Sequence, residues 1–248
     1  MKSFIKQIKT KAHRRLTVRF SKLDRVGISA NYIKGDGIEI GGLNYPLPVR
    51  PGVHVKYVDR IKAEDQFAIL DELKNDKLVT VDIIDDGETL SKVGNESQDF
   101  VIANHFIEHC QNVILTIKNM LRVLKPGGVV FLAIPEKRRT FDHLREITSL
   151  EHLIHDYEQG PESSEHDHYF DFVKLTNHGL GKSDLEIEDI IGQLKIKKWS
   201  IHFHVWDHQA MIDMFTMMKE RLKFEFEIEL ALAPRPEGNE SIFILRKQ

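Results

Sequence analysis

Two short apolar segments, each running into an acidic residue, constrain the fold of this 248-residue chain more than any other feature. The first segment contains Glu39 and runs into Gly41 and Gly42, and the second ends at Asp59. In an open α/β sheet, ligands bind beyond the carboxyl ends of the strands, where the strand order reverses. Glycine lets the backbone approach a ligand closely because it has no Cβ. An acid ending the second strand can accept hydrogen bonds from both hydroxyls of a ribose, so the pattern predicts a nucleoside cofactor.

The region lacks the dinucleotide fingerprint G-x-G-x-x-G, and this bears on which cofactor is bound. Gly35 and Gly37 begin such a pattern, but its third glycine would fall at Ile40. Glu39 would also place a carboxylate near the phosphates of a dinucleotide, which is repulsive. A carboxylate suits the cationic amino-acid end of S-adenosylmethionine, and the loop and its spaced acids, together with the motifs that follow, indicate that cofactor.

Further motifs lie at residues 82–90, 99–109 and 121–132. With them the chain resembles the class I S-adenosylmethionine-dependent methyltransferases, in particular the type 11 group, over residues 36–136. The resemblance implies an α/β fold with a doubly wound, mostly parallel seven-stranded sheet, an antiparallel C-terminal strand and a helical insertion after strand 5. The first loop departs from the commonest form in this family, which has a further glycine, because here Asn44-Tyr45-Pro46 follows the glycine pair. The strings GIEIGG…YVDR, IANHFIEH and IHFHVW resemble a bacterial subgroup usually met among cell-surface glycan genes.

The resemblance also implies a set of cofactor-binding residues. They are Glu39, Gly41, Gly42, Asp59, Asp86, Gly87 and Asn104. Glu39 is expected near the methionine amino group, Asp86 at the adenine amino group and Asn104 beside the transferred methyl. Asp82 and Asp85 compete with Asp86 for the adenine role.

Candidate general bases are His105, His202 and His204, because a hydroxyl acceptor benefits from a base and histidine is the most frequent one. Period-2 alternation places His202 and His204 on one face of an extended segment with Trp206, which could stack on a sugar. The alternative is a His/Trp face packed under the insertion. Glu108 and His109 are interpreted as a buried structural pair.

The sequence is compatible with three functions. The first is methylation of an oxygen of a saccharide or saccharide-linked metabolite by in-line transfer. The second is N- or C-methylation of another small molecule, and the third is a non-catalytic S-adenosylmethionine-binding partner protein. No metal site is predicted, because His166, His168, Asp171 and His178 match no tight metal motif.

The chain is interpreted as a single domain with four parts. These are a basic amphipathic helix over 1–25, a cofactor-binding half over 26–136, a helical insertion or acceptor lid over 137–206, and a C-terminal helix with an antiparallel strand pair over 207–248. Strands are predicted at 36–41, 54–59, 78–81, 100–103, 129–134, 224–230 and 242–245, and helices at 62–75, 111–124 and 208–222. The prolines between the first two strands exclude a long helix there.

Composition adds bounds on the environment and the partners. A hydrophobic content of 41% suffices for a packed core, and the single Cys110 permits no internal disulfide. The absence of a long apolar run or signal peptide predicts a cytoplasmic protein. Residues 1–25 carry nine Lys/Arg against one acid, so they either pack near the cofactor site or touch anionic lipid or phosphate groups. The rest of the chain is acidic, so no nucleic-acid partner is expected.

Overall fold

The computed structural model describes residues 23–66, 78–197 and 199–248. Within these residues the chain forms a seven-stranded sheet in the order β3-β2-β1-β4-β5-β7-β6. The strands are β1 Asp36–Ile40, β2 His54–Asp59, β3 Ile83–Ile84, β4 Gln98–Asn104, β5 Leu124–Pro135, β6 Phe226–Leu232 and β7 Glu240–Lys247. Strands β1 to β5 pair in parallel, whereas β7 is antiparallel to both β5 and β6. The predicted doubly wound sheet is confirmed.

Helices cover both faces of this sheet. They are α1 Arg25–Tyr32, α2 Ala63–Gln66, α3 Val113–Val123, α4 Leu150–Gln159, α5 Glu165–Leu175, α6 Asp184–Ile196 and α7 His208–Glu220. Alternate residues of the central strands point to opposite faces, so Val101 packs in one apolar cluster with α3 and α7, and Phe100 packs in another with Ile28 of α1. A third cluster lies within the insertion, between α5 and α6.

Most predicted elements agree with the structure, with one clear error. The third strand was expected at 78–81, but the pairing to β2 occurs at Ile83–Ile84. Asp82 explains the shift, because its carboxylate accepts a hydrogen bond from the Tyr57 backbone N–H just before the strand pair forms. Asp207 caps α7, accepting from the Ala210 N–H at 2.9 Å. The segment between β1 and β2 contains no helix.

Two predictions concern residues outside the described part of the chain. The basic helix was placed over 1–25, and the described residues begin at 23. The helix predicted over 62–75 is described only at Ala63–Gln66. Among the described residues, no helix is both long enough and apolar enough to cross a membrane.

The parallel register brings the ends of three strands to one edge. Ile40 pairs with Val58 on one side and with Ala103 on the other. Consequently Gly41, Asp59 and Asn104 follow or end their strands at the same level. Asp59 also pairs with Ile84, which brings Asp86 to this edge. The insertion emerges after β5 at the same edge.

Candidate active site

A cavity of about 510 Å³ opens at the carboxyl edge of β1, β2 and β4. This volume falls within the roughly 300–1,000 Å³ typical of small-molecule sites. The sheet contributes Gly41, Asp59, Asp86, Gly87, Asn104 and His105 to its wall. The insertion contributes Phe141, Phe172, His178, Trp199, Ser200 and His202. One wall is therefore acidic and glycine-containing, and the other is aromatic with imidazole and hydroxyl groups.

Gly41 leaves open space beside the first loop. Its φ is +65°, a conformation that side chains disfavour, and a Cβ there would meet no described atom within 4 Å. Its N–H donates to the Val58 carbonyl at 3.0 Å, which ties the loop to the end of β2. The residue therefore offers the backbone surface that a bound cofactor requires.

Glu39 and Gly42 are not in the lining of the cavity and make contacts inside the protein. The buried Glu39 carboxylate accepts the Leu47 N–H at 2.9 and 3.1 Å. A Cβ on Gly42 would lie 2.8 Å from the Tyr57 ring, so this glycine serves packing. Burial raises the pKa of Glu39 to about 7, although the hydrogen bonds from Leu47 and Asn104 oppose that rise. Glu39 thus stabilises the loop after β1 through its hydrogen bonds with the Leu47 N–H.

The two remaining acids of the predicted set line the cavity. Asp59 lies at the end of β2, and its Oδ1 lies 3.5 Å from the Ile61 N–H. Asp86 follows β3 and is exposed, and its Oδ1 accepts from the Glu88 N–H at 2.8 Å. The competitor Asp85 is engaged elsewhere, because its oxygens accept from the backbone of Asp86 and Lys92 and from the Ser91 hydroxyl. Asp86 is therefore the acid that this edge presents.

Gly87 is required by packing as well as by its place on the wall. A Cβ at this position would lie 2.6 Å from atoms of both Ile40 and Phe106. Any side chain would push the loop away from the end of β1. The glycine lets the turn that carries Asp86 lie directly against the first strand.

Asn104 and His105 end β4 at the centre of the edge. The Asn104 Oδ1 is buried and has no hydrogen-bond partner among the described residues, which suits a donor from a ligand. His105 has a φ of +48°, a strained conformation that often marks functional sites. Its Nε2 lies 2.8 Å from Glu240, which is also paired with Arg25. His105 is thereby engaged in a hydrogen bond with Glu240, although its ring reaches the cavity.

The predicted common face of His202, His204 and Trp206 does not line one site. His202 reaches the cavity, but His204 and Trp206 are fully buried and do not. Burial lowers the pKa of His204 to about 3, with His168 adding to the effect. Trp206 stacks on His204 at a centroid distance of 5.7 Å. The alternative interpretation, a packed His/Trp face, is therefore correct for these two residues.

His202 has a carboxylate partner that the sequence did not reveal. Its Nδ1 lies 2.7 Å from Oδ2 of Asp142, and Oδ1 of Asp142 accepts from Arg145 at 2.9 Å. Burial alone would raise the pKa of Asp142, but the hydrogen bonds from His202 and Arg145 outweigh it and hold that pKa below its usual value. An ionised Asp142 needs a donor, so Nδ1 of His202 carries a proton, and in the neutral ring the lone pair is on Nε2.

His109 also borders the cavity, which its interpretation as a structural residue did not anticipate. Its Nδ1 lies 2.9 Å from the Ile201 carbonyl, and burial lowers its pKa to about 3, with His202 contributing. Burial raises the pKa of the neighbouring Glu108 to about 8. Burial thus favours the neutral form of both groups.

The sequence did not identify the individual residues that the insertion contributes to the cavity wall. Phe141, Phe172, Trp199 and Ser200 occur in charged or mixed segments without a motif, and only the position of the insertion after strand 5 pointed to them. Asp142 lies in such a charged segment too. The sequence offered no spacing that pairs it with a histidine sixty residues away.

This strand order, with a glycine and two acids at the switch point, defines a Rossmann-like protein that binds a nucleoside cofactor. The model of the methyltransferase-domain family matches residues 27–178. The chain belongs to this family and is an S-adenosylmethionine-dependent methyltransferase, with S-adenosylmethionine as its cofactor. No protein of curated function matches its sequence.

Solved structures share the fold at low identity. A Rhodobacter sphaeroides protein assigned to the Zn-dependent alcohol dehydrogenases is 16% identical, with 90% of this chain and 89% of that chain covered and a TM-score of 0.52. That likeness concerns the fold alone. A Thermotoga maritima S-adenosylmethionine-dependent methyltransferase is 15% identical, with 96% of each chain covered and a TM-score of 0.46. A Methanosarcina mazei S-adenosylmethionine-dependent methyltransferase is 16% identical, with coverages of 88% and 95% and a TM-score of 0.44.

Proposed function

We propose that this methyltransferase methylates an oxygen of a saccharide or a saccharide-linked metabolite, with His202 as the general base. The observation that carries the proposal is the His202–Asp142 pair on the wall of the cavity whose other wall holds Asp59 and Asp86. A sugar hydroxyl has a pKa far above neutrality, so its attack on a methyl group benefits from a base. Nitrogen acceptors that are already neutral need no such group.

The cofactor side of the cavity fits S-adenosylmethionine. Asp59 would hold the ribose, Asp86 the adenine amino group, and the backbone at Gly41 and Gly87 would lie against the ligand. Asn104 has a buried oxygen available for a donor. When bound, S-adenosylmethionine supplies a methyl group that its sulfonium already activates. The protein's contribution is therefore to align the acceptor and to receive its proton.

The acceptor side has the composition of a sugar site. Phe141 lies with its ring 4.7 Å from that of His202, and Phe172 meets Phe141 edge to face at 6.1 Å. Trp199 adds a third aromatic surface. Such rings can pack against the apolar face of a pyranose, while Ser200 and His178 can bond to its hydroxyls. Trp199 thus takes the stacking role first assigned to Trp206.

The resemblance to a bacterial subgroup met among cell-surface glycan genes supports the same acceptor class, because it depends on the sequence and not on the cavity. It rests on the strings GIEIGG, IANHFIEH and IHFHVW in the sequence. The aromatic wall and the pattern of these strings favour a saccharide over a flat amine. Placement of the protein in the cytoplasm and contact of residues 1–25 with anionic lipid or phosphate groups stay predictions.

A product screen with methyl-labelled cofactor tests the proposal. The full chain is incubated with ¹³C-methyl S-adenosylmethionine and separate pools of saccharides, sugar nucleotides, amines and carbon nucleophiles, and labelled products are detected by mass and by ¹³C chemical shift. We expect an O-methyl signal in a saccharide pool. A signal confined to nitrogen or carbon would contradict the acceptor while leaving the methyltransferase assignment intact.

A further inference from the structure

A largely buried cluster of three histidines and one aspartate lies in the insertion, away from the cavity wall. Its members are His152, Asp156, His168 and His204. His152 and Asp156 lie one turn apart on α4, His168 lies on α5, and His204 lies on the segment before α7. The side chains of Asp156 and His204 are 1% and 0% exposed. Three separate parts of the insertion therefore meet at one point.

The nitrogens converge on a single carboxylate oxygen. Oδ2 of Asp156 lies 3.1 Å from Nε2 of His152 and 3.9 Å from Nε2 of both His168 and His204. The Nε2 atoms of His152 and His168 are 3.0 Å apart. With metal–nitrogen bonds of about 2.0–2.1 Å, the ligand atoms of a tetrahedral site are roughly 3.3 Å apart. The separations between the nitrogen and oxygen atoms of the cluster, 3.0 to 3.9 Å, lie on either side of this ligand–ligand distance.

Hydrogen bonding within the described residues leaves the cluster incompletely satisfied. Oδ2 of Asp156 is buried and accepts no well-formed hydrogen bond, and Nδ1 of His204 is buried without a partner. Nε2 of His204 lies 3.3 Å from the Gln111 carbonyl. Buried polar atoms of a folded protein are nearly always paired. A cation at the centre would give this carboxylate oxygen the well-oriented partner that the contact with Nε2 of His152 at 3.1 Å does not supply.

Groups behind the cluster hold the carboxylate in place. The other oxygen of Asp156, Oδ1, accepts from the Ser164 hydroxyl at 2.8 Å, and the Asp156 carbonyl accepts from Asn112 at 2.7 Å. Metal-binding carboxylates are characteristically fixed by such additional hydrogen bonds. Asn112 is also the N-cap of α3, so the cluster is connected to the helix that covers the sheet.

We propose that His152, Asp156, His168 and His204 bind a structural zinc ion in a closed four-coordinate site. Imidazole and carboxylate ligands suit Zn²⁺, which accepts tetrahedral geometry without a redox role. A closed set of four protein ligands is typical of a structural rather than a catalytic site. The absence of a metal motif in the sequence is explained, because only His152 and Asp156 are close in sequence and His166, Asp171 and His178 take no part.

The ion would fix the acceptor side of the cavity. His204 lies two residues after His202, so a metal at His204 anchors the extended segment that presents His202 to the cavity. It also ties α4 to α5, and α5 carries the cavity residue Phe172. The ion itself lies outside the wall of the cavity and takes no part in methyl transfer.

Zinc binding to the full chain, without a polyhistidine tag, tests the inference. The protein is treated with a chelator, dialysed and reloaded with Zn²⁺ or Co²⁺, and metal content, competition with a chromophoric chelator and the visible Co²⁺ spectrum are measured. We expect one zinc ion per chain, the strong visible absorption of four-coordinate Co²⁺ and a higher melting temperature with zinc.

Zinc binding by variants of the cluster is compared with that of control variants on the same helices, which shows where the ion binds. His152→Gln and His168→Gln should each weaken zinc binding by at least the roughly 10–100-fold seen for loss of a supporting group. His155→Gln on α4 and His166→Gln on α5 alter exposed histidines and should bind zinc as the wild type does. His202→Gln should also retain zinc. His152 is about one-third exposed, so its variant should fold even if that of His168 does not.

Three results would overturn the inference. The first is a wild-type chain that takes up no zinc, which would make the cluster a hydrogen-bonded network. The second is equal weakening by the control variants, which would indicate adventitious surface binding. The third is loss of zinc in His202→Gln but not in His168→Gln, which would place the ion beside His109 and Glu108 instead. None of these results depends on the acceptor, so they leave the proposed reaction untouched.

Discussion

Nδ1 of His202 lies 2.7 Å from Oδ2 of Asp142, and Arg145 binds the other oxygen of the same carboxylate at 2.9 Å. Arg145 is itself buried and also donates to Asp171 and to the His202 carbonyl. The guanidinium therefore holds both the carboxylate and the backbone of the histidine. This arrangement fixes the ring orientation and the tautomer, leaving Nε2 as the basic nitrogen.

Removal of the base should slow methyl transfer and spare cofactor binding. For a hydroxyl acceptor we expect His202→Ala to lose about 10²–10⁴ in rate, because that is the usual contribution of a general base. Part of the loss should be recovered at higher pH, where hydroxide can take the proton. Turnover and S-adenosylmethionine affinity are measured on the same preparation.

The control for this experiment is His143→Ala, which alters an exposed histidine in the same part of the insertion. Its turnover should equal that of the wild type. Full activity of His202→Ala at neutral pH would contradict the assignment and favour a mechanism of alignment alone. Of the other candidate bases, His105 is committed to Glu240, and His204 does not reach the cavity.

Loss of Arg145 should destabilise the protein strongly. Arg145→Met removes a buried partner from Asp142 and Asp171, and such losses cost about 3–5 kcal/mol of unfolding free energy. Urea unfolding monitored by circular dichroism measures the difference. Lys174→Met in the same insertion breaks an exposed pair with Asp184 and should cost less than about 1 kcal/mol. Equal effects of the two substitutions would show that the Arg145 network contributes little.

The buried Glu39 should make stability fall as the pH rises. Burial raises its pKa from 4.5 to about 7, so between these values the folded state binds more protons than the unfolded state. The stabilisation of the folded state linked to this pKa shift is fully present below pH 4.5 and is lost as the pH rises through 7. Glu39→Gln carries no such proton but can still accept the Leu47 N–H. The stability of the variant relative to wild type should therefore increase from pH 5 to pH 8.

The expected increase is on the order of a few kcal/mol, since each pKa unit corresponds to about 1.4 kcal/mol. Urea unfolding at several pH values checks it. Parallel pH curves for the two proteins would mean that the Glu39 carboxyl titrates alike in the folded and unfolded states.

The parts of the fold that local patterning controls were predictable. The acids Asp59 and Asp86 each depend on a few neighbouring residues at the end of a short strand, and the structure places both on the wall of the cavity. For Glu39 and Gly42 the sequence did not show which way the residue faces, because proximity to a loop in sequence does not distinguish the cavity from the core, and their contact with the cofactor stays a prediction. In Glu39 the carboxylate turns inward to Leu47.

The insertion was the least predictable part, because its contacts join residues far apart in sequence. Asp142 contacts His202, and His168 contacts His204, although the members of each pair are far apart in sequence. Alternation correctly separated His202 from Phe203 but could not show that His202 and His204 serve different clusters. Helical and extended segments with polar residues on both faces carry no local signal for which side is buried.

Isothermal titration calorimetry of the wild type and Asp59→Ala tests the central claim most directly. We expect S-adenosylmethionine and its demethylated product to bind with micromolar affinity and NAD to give no heat of binding. Asp59→Ala should weaken cofactor binding by about 2–3 kcal/mol, the scale of lost hydrogen bonds to a charged group. The exposed Asp65→Ala serves as the control and should bind as the wild type does. Binding of NAD with no heat from S-adenosylmethionine would contradict the account, and an unchanged affinity in Asp59→Ala would remove Asp59 from the ribose.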